Sequence, residues 1–312
     1  MSKNVNDLTI VMYHYVRDIK RSKYPRIKGL EISGFVRQLD YLIDNYNIVK
    51  AEDVIECVNQ GKQLPENPCL LTFDDGYKDH LTFVLPELLK RKVQGSFFPP
   101  VKCIVEREIL NVNRIHFILA STDNFSKLVY EVDSLCIEYG ITSVELSSYK
   151  AQYAIPSRYD AADVTYVKHI LQHVLAEDIR NTIASKLFKS YVKKAEIDFA
   201  DELYLSFSET KTLISNGMYV GSHGYRHLWL DKETLESQSL EIDSSLKFLK
   251  DVGSRIEDWI MCYPYGAYNS DTLSILKDRK CAIGLTTKVG LAKISKVSGL
   301  ELPRYNTNDF PQ

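Results

Sequence analysis

Residues 69–80 read CLLTFDDGYKDH: apolar or β-favouring residues run from Cys69 to Phe73 straight into two acids, Asp74 and Asp75, and a glycine. A segment apolar on both faces belongs inside a parallel sheet. Six more segments read as strands, at 8–14, 47–50, 95–99, 218–223, 259–265 and 282–287, several of them apolar on both faces, with amphipathic stretches between them. In SGFVRQLDYLIDNY, residues Phe35, Leu39, Leu42, Ile43 and Tyr46 share one helical stripe behind Ser33 as the expected N-cap. SETKTLISNG carries Ser208 at the expected cap and Gly217 beyond the end, and the run from Asp231 predicts a long helix closed by Gly253. Alternating strands and helices imply βα units, a parallel sheet and right-handed crossovers. Seven strands favour a barrel over an open sheet, although periodicity alone does not separate the two.

Residues 104–206 break the alternation. They hold little strand signal and several helical runs, among them DAADVTYVKHILQHVLAEDIRNTIASKLFKSYVKK. The expected organisation is an α/β protein, with a β/α barrel formed by 1–103 and 207–312 and a helical insertion at 104–206 acting as a cap beside the site.

Bulk properties exclude several classes. The chain has 312 residues, 45% hydrophobic and 26% charged, with a net charge of −2, so no sequence-wide basic field exists and nucleic acid is not an expected partner. The start, MSKNVNDLTIVMYHYV, lacks a small-residue cleavage site and is read as no signal peptide. No apolar stretch approaches the roughly 18 residues of a membrane span. Six cysteines (Cys57, Cys69, Cys103, Cys136, Cys262 and Cys281) form no C-x-x-C pair, which points to reduced thiols in a cytoplasmic protein.

The polar residues collect where the strands end. His14 follows the first strand, Asp74 and Asp75 the third, His223 and His227 the fifth, and Tyr265 with Gly266 the sixth. In a β/α barrel those ends form one rim, which carries catalytic groups. Each signal alone is modest. Adjacent acids before glycine more often make a turn, and histidines four apart occur on helices by chance, as His169 and His173 in VKHILQHVL illustrate. That second pair sits in an amphipathic helix with no acid turn nearby and is assigned to a helix face. Coincidence at one rim lifts the first set above packing.

One carboxylate and two imidazoles are the donor set of an open metal site, with zinc the default and iron, cobalt or nickel as alternatives. Such a cation acidifies water and polarises a carbonyl. One of Asp74 and Asp75 suffices as a ligand, leaving the other to accept a proton. Cleaving an amide also requires protonation of the departing amine, for which His14 is suited, and a backbone N–H near Tyr265 in YPYG can meet an oxyanion. No G-x-S-x-G elbow is present, which disfavours a serine hydrolase.

LTFDDGY, GSHGYRH and CYPYGAYN, in that order, resemble the polysaccharide deacetylase family, carbohydrate esterase family 4 with its NodB-homology domain. The resemblance covers 8–103 and 207–306. It implies a distorted seven-stranded β/α barrel, metal-dependent removal of N-acetyl groups from amino sugars, Asp74 as base, Asp75, His223 and His227 as metal ligands, and Tyr265 as the oxyanion donor. Two departures are informative. The family's arginine before the Pro-Tyr-Gly turn is replaced by Cys262 and Tyr263, and Arg304 in the tail is the expected substitute brace for Asp74. The family's late histidine is missing from LELPRYNTND, whereas VMYHYV resembles the branch of poly-N-acetylglucosamine deacetylases that carries this acid early, as His14 does here.

The expected activity is deacetylation of an N-acylated sugar or a precursor of a surface glycan, in the cytoplasm. Removal of a formyl or O-acetyl group on the same scaffold, and a barrel that binds glycan without turnover, are the alternatives. Arg158, Tyr159 and Lys168 in the insertion are candidates for meeting an anionic carrier, though a solvated face accounts for each more simply.

Overall fold

The computed structural model describes residues 7–157, 160–294 and 299–311. Its strands are β1 (Asp7–Tyr13), β2 (Val16–Arg17), β3 (Leu30–Glu31), β4 (Asn47–Ile48), β5 (Pro68–Asp74) and β6 (Ser96–Phe98), followed by β7 (Tyr219–Val220), β8 (Trp259–Cys262), β9 (Cys281–Leu285), β10 (Ala292–Lys293) and β11 (Tyr305–Asn306). Two compact units emerge, one formed by Met1–Asp18, Gly29–Glu108 and Ala200–Gln312, the other by Ile19–Lys28 and Ile109–Phe199.

In the first unit β11, β1, β5, β6 and β7 pair in parallel, each with the next. β8 pairs with β9, also in parallel. Single bridges continue the pairing from Ser222 to Met261 and from Leu285 to Leu302, just before β11. Among the described residues the main strands thus follow one another in a mostly parallel α/β arrangement, with single bridges leading on from Ser222 to β8 and from β9 to Leu302.

Strand parity divides the core. Leu8 and Ile10 of β1 and Leu70 of β5 cluster with Phe98, Tyr219, Ile260, Cys262, Ile283 and Leu285 from the other strands. Their neighbours Val11, Tyr13, Leu71 and Phe73 pack instead with Phe35, Leu39 and Leu42 of the helix Ile32–Asn45. Both faces of β5 are thus buried, as its apolar run requires. By the same alternation Thr72 and Asp74 share the face of Leu70.

Two caps differ from expectation. Ser33 lies inside its helix, which starts at Ile32 behind Glu31 with no side-chain cap. Ser208 is likewise internal, because Ser206 closes a capping box with Glu209. The box satisfies a backbone N–H at both of its ends, which Ser208 could not do. The helix Leu235–Val252 ends at Gly253 in the left-handed conformation, as predicted. The strand expected at 259–265 stops at Cys262, where Pro264 starts a turn.

The second unit is helical, with helices at Asn111–Ala120, Phe125–Glu138, Ser143–Tyr153, Ala162–His169 and Glu177–Tyr191. Residues 19–28 group with it rather than with the strands. Tyr24 meets Phe117 and Phe199 edge-on, at 4.9 and 5.9 Å between ring centroids, and Lys28 pairs with Asp160 at 2.5 Å. Lys168 pairs with the same Asp160 at 2.7 Å. Arg158 and Tyr159 lie outside the described residues. His169 and His173 bond each other at 2.8 Å, with Tyr153 stacked on His169. Among the described residues no helix is long and apolar enough to cross a membrane.

Candidate metal centre and active site

Register delivers the first contact. β1 and β5 align Met12 with Thr72 and Tyr13 with Phe73, so the residues just beyond, His14 and Asp74, emerge side by side, with Nε2 3.9 Å from Oδ2. Asp74 is buried and His14 is 41% exposed at its side chain. Arg304, also buried, donates from Nη1 to Asp74 Oδ1 at 2.9 Å and from Nη2 to Oδ2 at 2.8 Å. Its Nε reaches Thr286 O at 2.9 Å and Nη1 also reaches Thr72 Oγ1 at 3.1 Å. Burial alone would raise the Asp74 carboxyl, but the guanidinium overrides it and holds it down at about 2. Arg304 arrives here because its segment follows the Leu302 bridge and precedes the pairing of Tyr305 with Val11.

Asp75 faces another way. Its φ of 70° is left-handed, a conformation costly for a residue other than glycine and concentrated at functional sites. Gly76 follows with φ 62°, and a Cβ there would stand 2.6 Å from the Pro99 Cβ, so this position admits only glycine. Tyr77 donates its hydroxyl to Asp75 Oδ2 at 2.6 Å. The other oxygen, Oδ1, lies 3.4 Å from both His223 Nε2 and His227 Nε2.

The two histidines come from a loop, not the helical turn that their spacing suggested. Gly224 at φ 72° and His227 at φ 62° cannot continue a right-handed helix, and the chain doubles back so that the imidazoles meet. Cys262 O accepts from His223 Nδ1 at 2.7 Å, leaving Nε2 with its lone pair toward the centre. Beneath the loop, Glu241, 1% exposed, accepts from the backbone N–H groups of Tyr225 at 3.1 Å and Arg226 at 2.8 Å. Tyr265, at φ 58°, sets its ring 4.5 Å from that of His227 and stacks on Trp229 at 4.3 Å.

Asp75, His223 and His227 offer three donor atoms suited to a small divalent cation. Their own chemistry asks for one. Two imidazole nitrogens stand 3.1 Å apart, both facing a carboxylate oxygen, an arrangement in which lone pairs repel unless a proton or cation lies among them. Burial works against charge on Asp75, yet the imidazoles of His223 and His227 beside it keep its carboxyl well below the usual carboxylate range.

Sequence reasoning did not single out Tyr77, Glu241, Trp229 or His80. Glu241 had a visible signal: with Gln238 and Ser245 it interrupts the buried stripe formed by Ile242, Phe248, Leu249 and Val252. Polar residues on a buried stripe need a partner, but the partner itself is not legible.

Fold and site together define an α/β protein with a mostly parallel sheet, at whose strand ends carboxylates and imidazoles converge. Comparison with known proteins agrees with that class. Residues 157–283 match the sequence profile of the family described as Polysaccharide deacetylase. A stretch of 114 residues is 28% identical to the Putative polysaccharide deacetylase YxkH of Bacillus subtilis (strain 168), covering 35% of this chain and only 40% of that relative's length. In fold the chain is similar to the Streptococcus pyogenes deacetylase PplD in complex with acetate (16% identity, TM-score 0.58, covering 97% of this chain and 93% of that one). It is similar as well to IcaB from Ammonifex degensii (16%, 0.53, 96% and 87%) and to the BpsB deacetylase domain from Bordetella bronchiseptica (13%, 0.55, 97% and 96%). The resemblance to the polysaccharide deacetylases thus stands in profile and in fold. The matched profile segment contains His223, His227 and Tyr265 but stops short of His14, Asp74, Asp75 and Arg304, which only folding brings to the same rim.

Proposed function

We propose that this protein is a metal-dependent hydrolase that removes an N-acetyl group from an amino sugar or a surface-glycan precursor. One observation carries the reading: the cluster of Asp75, His223 and His227 adjoins a carboxylate, Asp74, that an arginine holds ionised, with a half-exposed imidazole, His14, 3.9 Å away.

Asp75, His223 and His227 would hold the cation, zinc by default with iron, cobalt or nickel as alternatives. When bound, it supplies a Lewis acid that polarises the acyl oxygen and lowers the pKa of water. Asp74 accepts the proton of the attacking water. Its two-point contact with Arg304 keeps it charged and fixes which oxygen faces outward. His14 Nε2, on the solvent side of that base, donates a proton to the departing nitrogen, without which an amide does not expel its amine. The backbone N–H of Tyr265 meets the developing oxyanion. The unpaired state of all six cysteines supports a reducing, cytoplasmic setting, where nucleotide- or lipid-linked sugars are the available substrates.

Acetate release from N-acetylated sugars, alongside metal content, tests this reading. Asp74→Asn should retain the metal and lose about 10²- to 10⁴-fold in kcat. Wild-type protein that binds zinc yet releases no acetate from free, nucleotide-linked or oligomeric N-acetyl sugars would contradict it.

A further inference from the structure

We propose that His80 is a positioning residue for His14, holding the segment after β1 so that the His14 ring stays beside Asp74. The inference rests on the reading of His14 as the proton donor. His80 is completely buried, with its Nε2 2.9 Å from the His14 carbonyl oxygen. A carbonyl only accepts, so Nε2 carries the hydrogen and the ring is the neutral Nε2–H tautomer. Burial agrees, pushing the imidazole down to about 4. Its other nitrogen, Nδ1, is buried without a partner. Phe73, Tyr77 and Phe97 surround the ring, with centroids 5.6, 5.7 and 5.6 Å away.

An orphaned buried nitrogen costs stability that an apolar residue in the same cage would not incur. The donor to His14 is what a histidine supplies there and a phenylalanine does not. The neighbours of His80 hold the same segment. Tyr77 stacks on Tyr15 at 4.2 Å, and Asp79 accepts from Arg17 Nε at 2.7 Å. Residues 77–80 follow the acid pair after Gly76, so one short stretch links the base and the metal acid to the loop of the proton donor. His80 also opens a π-helical turn, His80–Val84, a local irregularity frequent at functional sites.

The test compares His80→Phe and the smaller His80→Leu, which remove the donor, with His80→Gln, whose amide restores an N–H at similar reach. His14→Ala and His14→Ala/His80→Phe run in parallel. On an N-acetyl sugar, kcat should fall at least tenfold in His80→Phe and His80→Leu, with KM and bound metal unchanged, and recover in His80→Gln. On an activated acetyl ester, whose leaving group departs unprotonated, both should stay within about twofold of wild type. The double variant should be no slower than His14→Ala alone, because the two residues act as one unit. Equal losses on amide and ester, lost metal, or additive losses in the double variant overturn the positioning role. If His14→Ala slows amide cleavage and neither donor-less variant does, the inference fails alone. If His14→Ala has no effect, the reading of His14 fails and the inference with it.

Discussion

Asp74 and His80 show how its surroundings set the state of a buried side chain. Arg304 keeps Asp74 ionised by direct contact, whereas His80 stays neutral because its apolar cage disfavours charge. The second effect has a consequence in pH. The unfolded chain takes a proton at this histidine near pH 6.5, but the folded chain only near 4, because burial outweighs the bond to the His14 carbonyl and the nearby charges of Asp75 and Asp74. Between these values the unfolded state binds more protons, so stability is complete above about 6.5 and falls as pH drops toward 4, by on the order of 3 kcal/mol. Denaturant unfolding of chelator-treated protein should show the slope of stability against pH flatten by about one proton in His80→Gln. A slope identical to wild type would contradict the neutral buried state. His80 was silent in the sequence because a histidine five residues past an acid is unremarkable until the fold encloses it.

The elements that supply ligands differ in how much of them was legible. β5 was clear from composition, and its parity alone put Asp74 on the face of Leu70. The loop from Ser222 to His227 was not, since its spacing imitates a helix while Gly224 and His227 are left-handed. That loop is shaped from below. Ser222 Oγ accepts from Gly224 N at 3.2 Å, and Glu241 gathers two further backbone N–H groups. Glu241→Ala leaves those donors without their acceptor and frees the loop that presents both histidines. Metal affinity should drop about 10- to 100-fold, the usual cost of losing a group that orients ligands. Zinc titration by calorimetry checks this, with circular dichroism confirming an unchanged fold. Affinity within twofold of wild type would show that the loop holds its shape without Glu241.

At the scale of the whole molecule, the candidate ligands are 148 positions apart in sequence, Asp75 against His223, and both belong to the strand-bearing unit. A cation held by both segments binds the folded unit and not the unfolded chain. At about 100 times Kd it should add roughly 2.7 kcal/mol, raising Tm by roughly 5–10 °C. Scanning calorimetry with zinc and then with chelator measures the shift, and Asp75→Asn should abolish it. An equal shift in that variant would locate the cation elsewhere.

The sequence by itself determined what local patterning can carry: alternating strands and helices, polar groups at strand ends, the break at the helical stretch, and the motifs that resemble the deacetylases. Tertiary structure alone decided which atoms meet. The register of β1 on β5 sets His14 beside Asp74, and the return of the chain past Leu302 delivers Arg304 from 230 positions away. Left-handed backbone at Asp75, His227 and Tyr265 aims three side chains that no propensity would turn that way. Periodicity records which face of an element is buried, but a contact between remote residues depends on how elements pair, and no local stretch encodes that pairing.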